Sequence, residues 1–484
     1  MGVTASYTML AKRQPSRLAV VTAKKSVTYK QWNDSVCQVA NWLTYEGDNK
    51  IIALLLGNCL EFLQLFAGAA AAGWVCVPLD TNWNESELRE RLAEAKPAII
   101  VSEQHLLHKL PKTAAKVMTI EEIEDVIKYF SSRFYQDIER KNLPFYMGFT
   151  SGSTGKPKAF VRSQQSWVES FACNIHDFQM SCDECVCIPG ALVHSLFLYG
   201  AISTLYLGGT VYLLEKFVPA TVLSTLESEP ITAMYAVPTM IEALYKLDTT
   251  VNRPFRLISS GAKWEAEAKR RIRALFPYVK MYEFYGASEL SFVTVLNEYD
   301  NQLKPSSVGR ACHNVEIGIR NDKNEEVKQG EIGRIYVKSK QIFMGYIENG
   351  AITNCVTEEG WLTVYDLGYM DEAGYLYIAG RERNMIVYGG INIFPEEIER
   401  VLLAHQDVEE AAVVGIEDLY WGEIAVAVIQ GKTTSAALKK YCMAYLSAYK
   451  IPKRWYFVEH LPYTTSGKIA RKQVKEMIKQ VYYG

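Results

Sequence analysis

The sequence predicts an α/β protein of at least two domains. Its 484 residues exceed the roughly 250–300 at which a single hydrophobic core stops growing. Three apolar runs, at 50–56, 74–78 and 97–101, have the length and composition of buried strands, and segments with helical spacing separate them. Because strands that alternate with helices form sheets covered on both faces, this part of the chain indicates a doubly wound α/β layer.

The elements around this layer follow from local patterns. Residues 18–22 and 26–29 are short and β-branched, which predicts an early hairpin, and an amphipathic helix is predicted from about Lys30 to Tyr45. Asn84 followed three residues later by Glu87 has the pattern of a capping box. This pattern predicts that a helix begins directly after Asn84.

Composition excludes several classes of partner. The chain has 52 basic and 54 acidic residues, so we expect no nucleic acid or anionic membrane partner. The apolar run Leu65–Val77 is too short to span a bilayer, so we expect no integral membrane segment.

Ten cysteines and no leader sequence predict reduced thiols and a cytoplasmic protein. Cys182, Cys185 and Cys187 lack a second ligand pair nearby, which favours packing over a metal site.

The stretch from Phe149 to Lys158 reads Phe-Thr-Ser-Gly-Ser-Thr-Gly-Lys-Pro-Lys and predicts a phosphate-holding loop. Its glycines allow backbone conformations closed to other residues, while hydroxyl and basic side chains supply donors and charge. A Walker A loop is excluded, because Thr150 and Pro157 stand where it needs glycine and Ser or Thr. A flexible linker remains the alternative for this stretch alone. The expected phosphate contacts are Thr150, Ser151, Gly152, Ser153, Thr154, Gly155, Lys156 and Lys158.

Polar groups recur in four later places. His194 lies in an apolar surround, where a lone histidine is more often a packing residue than a catalyst. Residues 257–262 form a strand that ends in a small-residue turn, where α/β sheets bind ligands. Residues 283–289 offer a ring, a glycine, a hydroxyl and a carboxylate, which together suit a base, a phosphate and Mg²⁺. Asp366 suits both hydroxyls of a ribose or simply closes a turn.

Five motifs together resemble the adenylate-forming superfamily of acyl-CoA synthetases, peptide-synthetase adenylation domains and luciferases. Their order and approximate spacing match the family along nearly the whole chain. They are Thr-Ser-Gly-Ser-Thr-Gly-Lys-Pro-Lys at 150–158, Tyr-Gly-Ala-Ser-Glu at 285–289, Tyr-Asp at 365–366, Gly-Arg at 380–381 and Gly-Lys at 467–468.

The resemblance implies a fold and a domain division. A large N-terminal domain of stacked doubly wound sheets, residues 1–380, would bind ATP and the acyl group. A small mobile C-terminal α/β domain, residues 381–484, would carry the adenylation lysine. The segment from Gly380 to Gly390 would be the hinge about which the small domain rotates between two half-reactions.

The resemblance also implies roles for single residues. Lys468 would reach the main site during adenylation, Ser288 would contact the α-phosphate, Glu289 would bind Mg²⁺, and His194 would lie near the acyl carboxylate. These four are the expected catalytic residues, and Glu289 is the expected metal ligand. The phosphate loop would hold the β- and γ-phosphates of ATP. The other expected cofactor contacts are Ser260, Gly261, Ala262, Tyr285 and Gly286 around adenine and the acyl pocket, Asp366 and Arg381 on ribose, and Gly389 and Gly390 near the pantetheine of CoA.

The implied reaction joins a carboxylic acid to CoA through an acyl-adenylate, with release of AMP and pyrophosphate. Apolar residues Leu192, Leu196 and Phe197 favour a fatty acid, while an aryl or succinylaryl acid stays open. A separate carrier protein is the alternative acceptor, and a non-catalytic adenylate-binding protein is a further alternative.

The chain departs from the family pattern at four positions. Ala159 and Gln164 replace the glycine and histidine that usually follow the loop, and Tyr365 replaces the glycine before the ribose aspartate. Arg383 stands at a hinge position that commonly holds Asp or Lys. None of these removes an expected catalytic group, and they leave open a slow enzyme or an unusual substrate.

Overall fold

The computed structural model describes residues 2–47, 50–134, 142–150, 158–261, 264, 266–348, 350–388, 391–418, 421–464 and 468–483. The chain divides into two compact units. Unit 1 comprises residues 1–317 and 337–362, and unit 2 comprises residues 318–336 and 363–484. The predicted boundary at residue 380 is the position of a hinge. A division into compact units does not test where a domain rotates, so this boundary stays a prediction.

The secondary structure confirms a mixed α/β protein. The α-helices of the described residues are, in chain order, α1 (Tyr7–Arg13), α2 (Tyr29–Glu46), α3 (Leu60–Ala72), α4 (Glu85–Ala95), α5 (Ile120–Ile127), α6 (Gln164–His176), α7 (Ser195–Leu207), α8 (Pro219–Ser228), α9 (Pro238–Tyr245), α10 (Ala266–Leu275), α11 (Glu298–Leu303), α12 (Pro395–Leu403), α13 (Ser435–Tyr445) and α14 (Arg471–Tyr483). The strands are β1 (Leu18–Val21), β2 (Ser26–Thr28), β3 (Ile51–Leu55), β4 (Val75–Pro78), β5 (Ile99–Ser102), β6 (Lys116–Thr119), β7 (Pro144–Thr150), β8 (Lys158–Ser163), β9 (Cys185–Ile188), β10 (Thr210–Leu213), β11 (Ala233–Ala236), β12 (Arg256–Ser259), β13 (Lys280–Ala287), β14 (Ser291–Leu296), β15 (Arg310–Ala311), β16 (Glu316–Arg320), β17 (Gly333–Lys338), β18 (Gly345–Glu348), β19 (Ala351–Thr353), β20 (Trp361–Leu362), β21 (Asp366–Met370), β22 (Leu376–Arg381), β23 (Ile386–Tyr388), β24 (Ile391–Ile393), β25 (Val408–Asp418), β26 (Gly422–Gly431) and β27 (Arg454–Val458).

Unit 1 contains two large sheets. One has the strand order β15-β14-β13-β12-β11-β9-β10-β1-β2, and the other has the order β19-β18-β8-β7-β4-β3-β5-β6. The second sheet confirms the predicted α/β layer, because β3 pairs in parallel with both β4 and β5. The predicted hairpin is also confirmed, since β1 and β2 pair antiparallel.

Local signals give the predicted helix starts. Thr28 caps α2 and forms a capping box with Gln31, and Asn84 caps α4 in the capping box with Glu87. Of the three clustered cysteines, Cys187 is fully buried in β9, Cys185 is half-buried and Cys182 is exposed, so packing describes Cys187 but not Cys182. None of the helices in the described part of the chain combines the length and apolar composition of a membrane span.

In unit 1 the parallel pairing of β12 with β13 brings two polar segments to the same edge of the sheet. Ser259, the last residue of β12, pairs with Glu283 in β13. The residues that follow both positions therefore emerge at the same edge of the sheet, which is where doubly wound folds bind ligands. The predicted small-residue turn and the predicted aromatic-to-carboxylate motif begin at this edge.

Unit 2 contains two smaller sheets. One has the order β16-β17-β21-β22, and the other has the order β24-β23-β26-β25 with β27 paired in parallel to β26. Buried residues of α12, α13 and α14 pack against β25 and β26 in one core, which includes Ile398, Leu438, Val474, Val413 and Val426.

Candidate active site

The two ends of the predicted phosphate loop meet at a strand pair. Thr150 ends β7, Lys158 begins β8, and the two residues are directly paired. Ser151, Gly152, Ser153, Thr154, Gly155 and Lys156 lie outside the described residues. The described geometry therefore fixes where the loop leaves and re-enters the sheet.

Tyr346 joins the loop lysine to the predicted metal carboxylate. The Lys158 ammonium lies 5.1 Å from the centroid of the Tyr346 ring. The Tyr346 hydroxyl donates a 2.7 Å hydrogen bond to Oε1 of Glu289, which is buried. Lys158 also lies 3.9 Å from Oε1 of Glu348. The structure thus brings Lys158 and Glu289 to one side chain, to its ring and to its hydroxyl, that the sequence interpretation missed.

The motif Tyr-Gly-Ala-Ser-Glu spans the end of β13 and the turn that leads to β14, with Ser288 and Glu289 in the turn. A Cβ on Gly286 would lie 2.0 Å from the Ser291 carbonyl oxygen, so only glycine fits this approach. The Leu290 amide donates to the Ala287 carbonyl at 3.0 Å and closes the turn. Ser288 and Glu289 are consequently presented on a tight turn at the edge of the sheet.

Arg162, which the sequence interpretation did not single out, lies beneath this turn. It is 2% exposed. Its guanidinium donates to the Ser288 carbonyl at 2.6 Å and to the Ser291 hydroxyl at 2.6 Å. Burial lowers the pKa of Arg162 to about 10, because a charged guanidinium is poorly solvated there. The side chain remains a cation at neutral pH.

His194 lies immediately before α7, in a segment beside the same turn. The next residue, Ser195, has its hydroxyl oxygen 3.5 Å from that of Ser288. Burial lowers the pKa of His194 below its ordinary value of 6.5, although Asp80 opposes this shift. The imidazole is therefore neutral at pH 7.

A buried asparagine fixes the segment that leads to His194. The Asn58 amide donates to the carbonyls of Gly190 and Leu214 at 2.8 and 2.9 Å and accepts from the Leu192 amide at 2.8 Å. Leu192 and Phe197 are buried, which keeps an apolar surround for the histidine. The sequence alone gave no signal for the role of Asn58.

The small-residue turn after β12 is held by a tryptophan. The Trp264 indole donates to the Ser259 hydroxyl at 3.0 Å, and its amide donates to the Glu283 carboxylate at 3.2 Å. Lys269 forms a buried 2.6 Å ion pair with Glu283. Ser260 directly follows β12, and Tyr285 lies in β13 two residues after Glu283, the partner of Ser259; both are half-buried.

Gly261 has φ +99°, a conformation that favours glycine. It is exposed and directly follows Ser260 in the predicted adenine and acyl pocket. Ala262, the remaining residue predicted there, lies outside the described residues.

The two predicted ribose contacts meet in unit 2. Asp366 of β21 pairs with Arg381 of β22, and the Arg381 Nε lies 3.0 Å from Asp366 Oδ1. Tyr365 has φ +63°, in the left-handed region that glycine adopts most readily, so the glycine that the resemblance implies at this position would suit the backbone better. A hydrogen bond also holds the Tyr365 backbone, since the Glu382 amide donates to the Tyr365 carbonyl at 3.0 Å.

Lys468 of unit 2 is bonded to Thr464. The Thr464 amide donates to the Lys468 carbonyl at 2.7 Å, and the Lys468 amide donates to the Thr464 hydroxyl at 3.2 Å. The Lys468 side chain is exposed. Three residues later Arg471, the first residue of α14, forms two 2.5 Å contacts with the Glu399 carboxylate. Gly389 and Gly390 lie outside the described residues.

The described site residues thus fall into two groups. Unit 1 brings together the loop ends, the Ser288–Glu289 turn and the segment of His194, and it places Ser260 and Tyr285 at one sheet edge. Unit 2 contains Asp366, Arg381 and Lys468. The individual roles of these residues in catalysis and binding stay predictions.

Comparisons with known proteins agree with this arrangement. The family described as AMP-binding enzyme matches residues 8–347, and the AMP-binding enzyme C-terminal domain matches residues 397–468. The chain is 50% identical to the uncharacterized acyl--CoA ligase YhfT of Bacillus subtilis, over 99% of each chain. It is 34% identical to the putative long chain fatty acid-CoA ligase VraA of Staphylococcus haemolyticus, over 96% of each.

A solved structure gives the same result for the fold. The ATP-bound crystal structure of MatB from Rhodopseudomonas palustris superimposes with a TM-score of 0.90 at 26% identity, and all of both chains are covered. Both the family match and the full-length relatives agree with the resemblance drawn from the five motifs. The chain therefore belongs to the AMP-binding enzymes of the adenylate-forming superfamily, in the acyl-CoA ligase branch.

Proposed function

We propose that this enzyme activates a fatty acid with ATP and transfers the acyl group to CoA. The observation that carries the proposal is the cluster in unit 1, where Tyr346 joins Lys158 to Glu289 and Ser195 lies against Ser288. A cation, a buried carboxylate and hydroxyl groups at the mouth of the phosphate loop suit the α-phosphate chemistry of adenylation. The names of the two bacterial relatives support the acyl-CoA ligase reaction.

The residues present fit a bound Mg²⁺. Glu289 is a buried carboxylate with Oε1 held by the Tyr346 hydroxyl, and hard oxygen ligands are those that Mg²⁺ prefers. When bound, the ion would offset negative charge on the ATP phosphates. The turn that carries Glu289 is already fixed, so the carboxylate is preorganised for the ion.

The protein groups divide the remaining work of adenylation. The basic and hydroxyl side chains of the phosphate loop hold the β- and γ-phosphates, and Asp366 with Arg381 holds the ribose. Ser288 donates to the α-phosphate. Lys468 contacts the acyl carboxylate and the α-phosphate and offsets the charge that develops as the carboxylate attacks.

The acyl group occupies the region around His194. A neutral imidazole contributes no charge that would attract a second carboxylate, and the neighbouring residues Leu192, Leu196 and Phe197 are apolar. These properties favour an unsubstituted acyl chain over an acid with a second carboxylate. Transfer to CoA follows when the C-terminal domain rotates and brings Gly389 and Gly390 to the pantetheine arm.

The test is pyrophosphate release with ATP and Mg²⁺ against a panel of fatty, aryl and amino acids, with and without CoA. Products are identified by mass. Acyl-CoA formed from fatty acids is the expected result. Acyl-CoA formed only from aryl or succinylaryl acids would show that these acids, and not fatty acids, are the substrates. Adenylate that accumulates without thioester would point to a carrier protein, and ATP binding without turnover of any acid would overturn an enzymatic role.

A further inference from the structure

Arg162 contacts both ends of the turn that carries the predicted metal carboxylate. Nη1 donates to the Ser288 carbonyl at 2.6 Å and Nη2 donates to the Ser291 hydroxyl at 2.6 Å. Only Glu289 and Leu290 lie between these two contacts. We infer that Arg162 is the positioning residue that holds Ser288 and Glu289 in place for the nucleotide and its metal ion. This role rests on the proposed function.

The guanidinium makes two further hydrogen bonds outside the turn. Nη2 also donates to the Gln341 carbonyl at 2.5 Å, and Nε donates to the Ser166 hydroxyl at 3.1 Å. Gln341 is 1% exposed, and its amide donates to the Cys173 sulfur at 3.2 Å. The acceptor for Arg162 is therefore itself immobilised by a side chain of α6.

The same segment reaches Glu289 directly. The Phe343 amide, two residues after Gln341, donates to the Glu289 carbonyl at 2.9 Å. Arg162 thus donates hydrogen bonds both to the turn and to the 341–343 segment. That segment in turn donates a hydrogen bond to the backbone of Glu289. Moving the guanidinium would shift both attachments of the carboxylate together.

The charge of Arg162 distinguishes it from a packing residue. Among the described residues no carboxylate forms an ion pair with it, and the four donated bonds go to neutral oxygens. Burying a cation without an ion pair is unfavourable, and a neutral side chain would fill the space without the desolvation penalty of a charge. A planar guanidinium is required because its donors diverge in a fixed fork that spans the turn. Its positive charge is also of the right sign for a site that binds phosphate.

The experiment compares Arg162→Lys with Arg256→Lys as a matched control. Arg256 is a partly buried arginine of unit 1 that is bonded to Glu184 at 3.0 Å and makes no described contact with the turn. Each protein is titrated with Mg²⁺ in pyrophosphate exchange, and its binding of ATP with Mg²⁺ is measured by calorimetry. Thermal melting reports on the fold.

We expect Arg162→Lys to raise the Mg²⁺ concentration for half-maximal exchange by about 10-fold, because a compact ammonium cannot span both ends of the turn. Arg256→Lys should leave this concentration unchanged. A cycle with Glu289→Gln should be non-additive, since Arg162 acts through that carboxylate. A loss of melting temperature without a change in Mg²⁺ dependence, or additive effects in the cycle, would overturn the inference.

Two further arrangements keep the test decisive. If Arg162→Lys does not fold, Ser291→Ala removes one contact and should shift the Mg²⁺ dependence in the same direction by less; an unchanged dependence contradicts the role. If wild type binds ATP and Mg²⁺ but turns over no acid, the proposed function fails while the binding comparison still decides the role of Arg162. Absence of wild-type binding would overturn both.

Discussion

Arg162 in unit 1 and Arg471 in unit 2 are arginines whose side chains are held in opposite ways. Arg471 is held by the Glu399 carboxylate through two 2.5 Å contacts and by the Val413 carbonyl at 2.9 Å. Burial disfavours the Arg471 charge, but Glu399 raises the pKa of Arg471 above its ordinary value. Arg162 has neutral acceptors, and burial lowers its pKa.

The same contrast extends to neighbouring charges. In unit 2 Arg381 pairs with Asp366, and Arg334 makes a two-bond contact with Glu382 at 2.6 and 3.0 Å. In unit 1 the Glu289 carboxylate is bonded by a tyrosine hydroxyl, and Arg162 has no ion pair among the described residues. Unit 1 also contains buried ion pairs, such as Lys269 with Glu283, so the contrast concerns Arg162 and Glu289 alone, whose charges face an anionic ligand and its metal ion in the proposed function.

The largest expected effect tests whether the Arg471 pair is structural. Arg471→Met leaves the mostly buried Glu399 carboxylate without its partner, so we expect a loss of about 3 kcal/mol in the stability of unit 2. Urea unfolding followed by tryptophan fluorescence measures it. Adding Glu399→Met should recover part of the loss. A variant as stable as wild type would show that the pair is not structural and would break the comparison.

The next effect concerns chemistry without stability. Lys468 is exposed, so Lys468→Ala should leave the melting temperature unchanged while slowing adenylation by about 10²-fold or more. Pyrophosphate exchange measures the first step, and presynthesised acyl-adenylate with CoA measures the second, which should be spared. Equal loss in both half-reactions would contradict the assignment of Lys468 to adenylation.

A smaller effect sharpens the description of unit 1. Tyr346→Phe removes the hydrogen bond to Glu289 but keeps the ring near Lys158, so we expect adenylation at limiting Mg²⁺ to fall about 10-fold. Tyr282→Phe is the control, because its hydroxyl bonds Gln179 in the same unit at 3.3 Å. Similar losses in both variants would mean that the Tyr346 hydroxyl has no particular link to the metal.

The smallest effect is a pH dependence from His194. The pKa of His194 is lowered in the folded state. As the pH falls below the ordinary histidine pKa of 6.5, the unfolded chain therefore binds the proton first, and the folded state loses stability. The loss ends once pH is below the folded pKa. Melting temperatures at pH 8 and pH 5.5 should therefore differ more in wild type than in His194→Gln. Equal differences would indicate an imidazole that is not desolvated.

Sequence by itself determined the parts of this protein that depend on neighbouring residues. Alternating apolar runs gave the α/β layer, and Thr28 and Asn84 started helices because a capping bond spans only three residues. The order of motifs gave the family, and the parallel pairing of β12 with β13 carried the small-residue turn and the Tyr-Gly-Ala-Ser-Glu motif to one edge of the sheet.

Only the tertiary structure decided which groups hold the motifs in place. Arg162 reaches acceptors 126, 129 and 179 positions away along the chain, and Tyr346 reaches Glu289 across 57 positions. Neither residue belongs to a local pattern, because hydrogen bonds between distant strands depend on sheet order and register rather than on spacing. Tyr365 illustrates the same limit, since its left-handed backbone is imposed by the surrounding strands and not by its own preference.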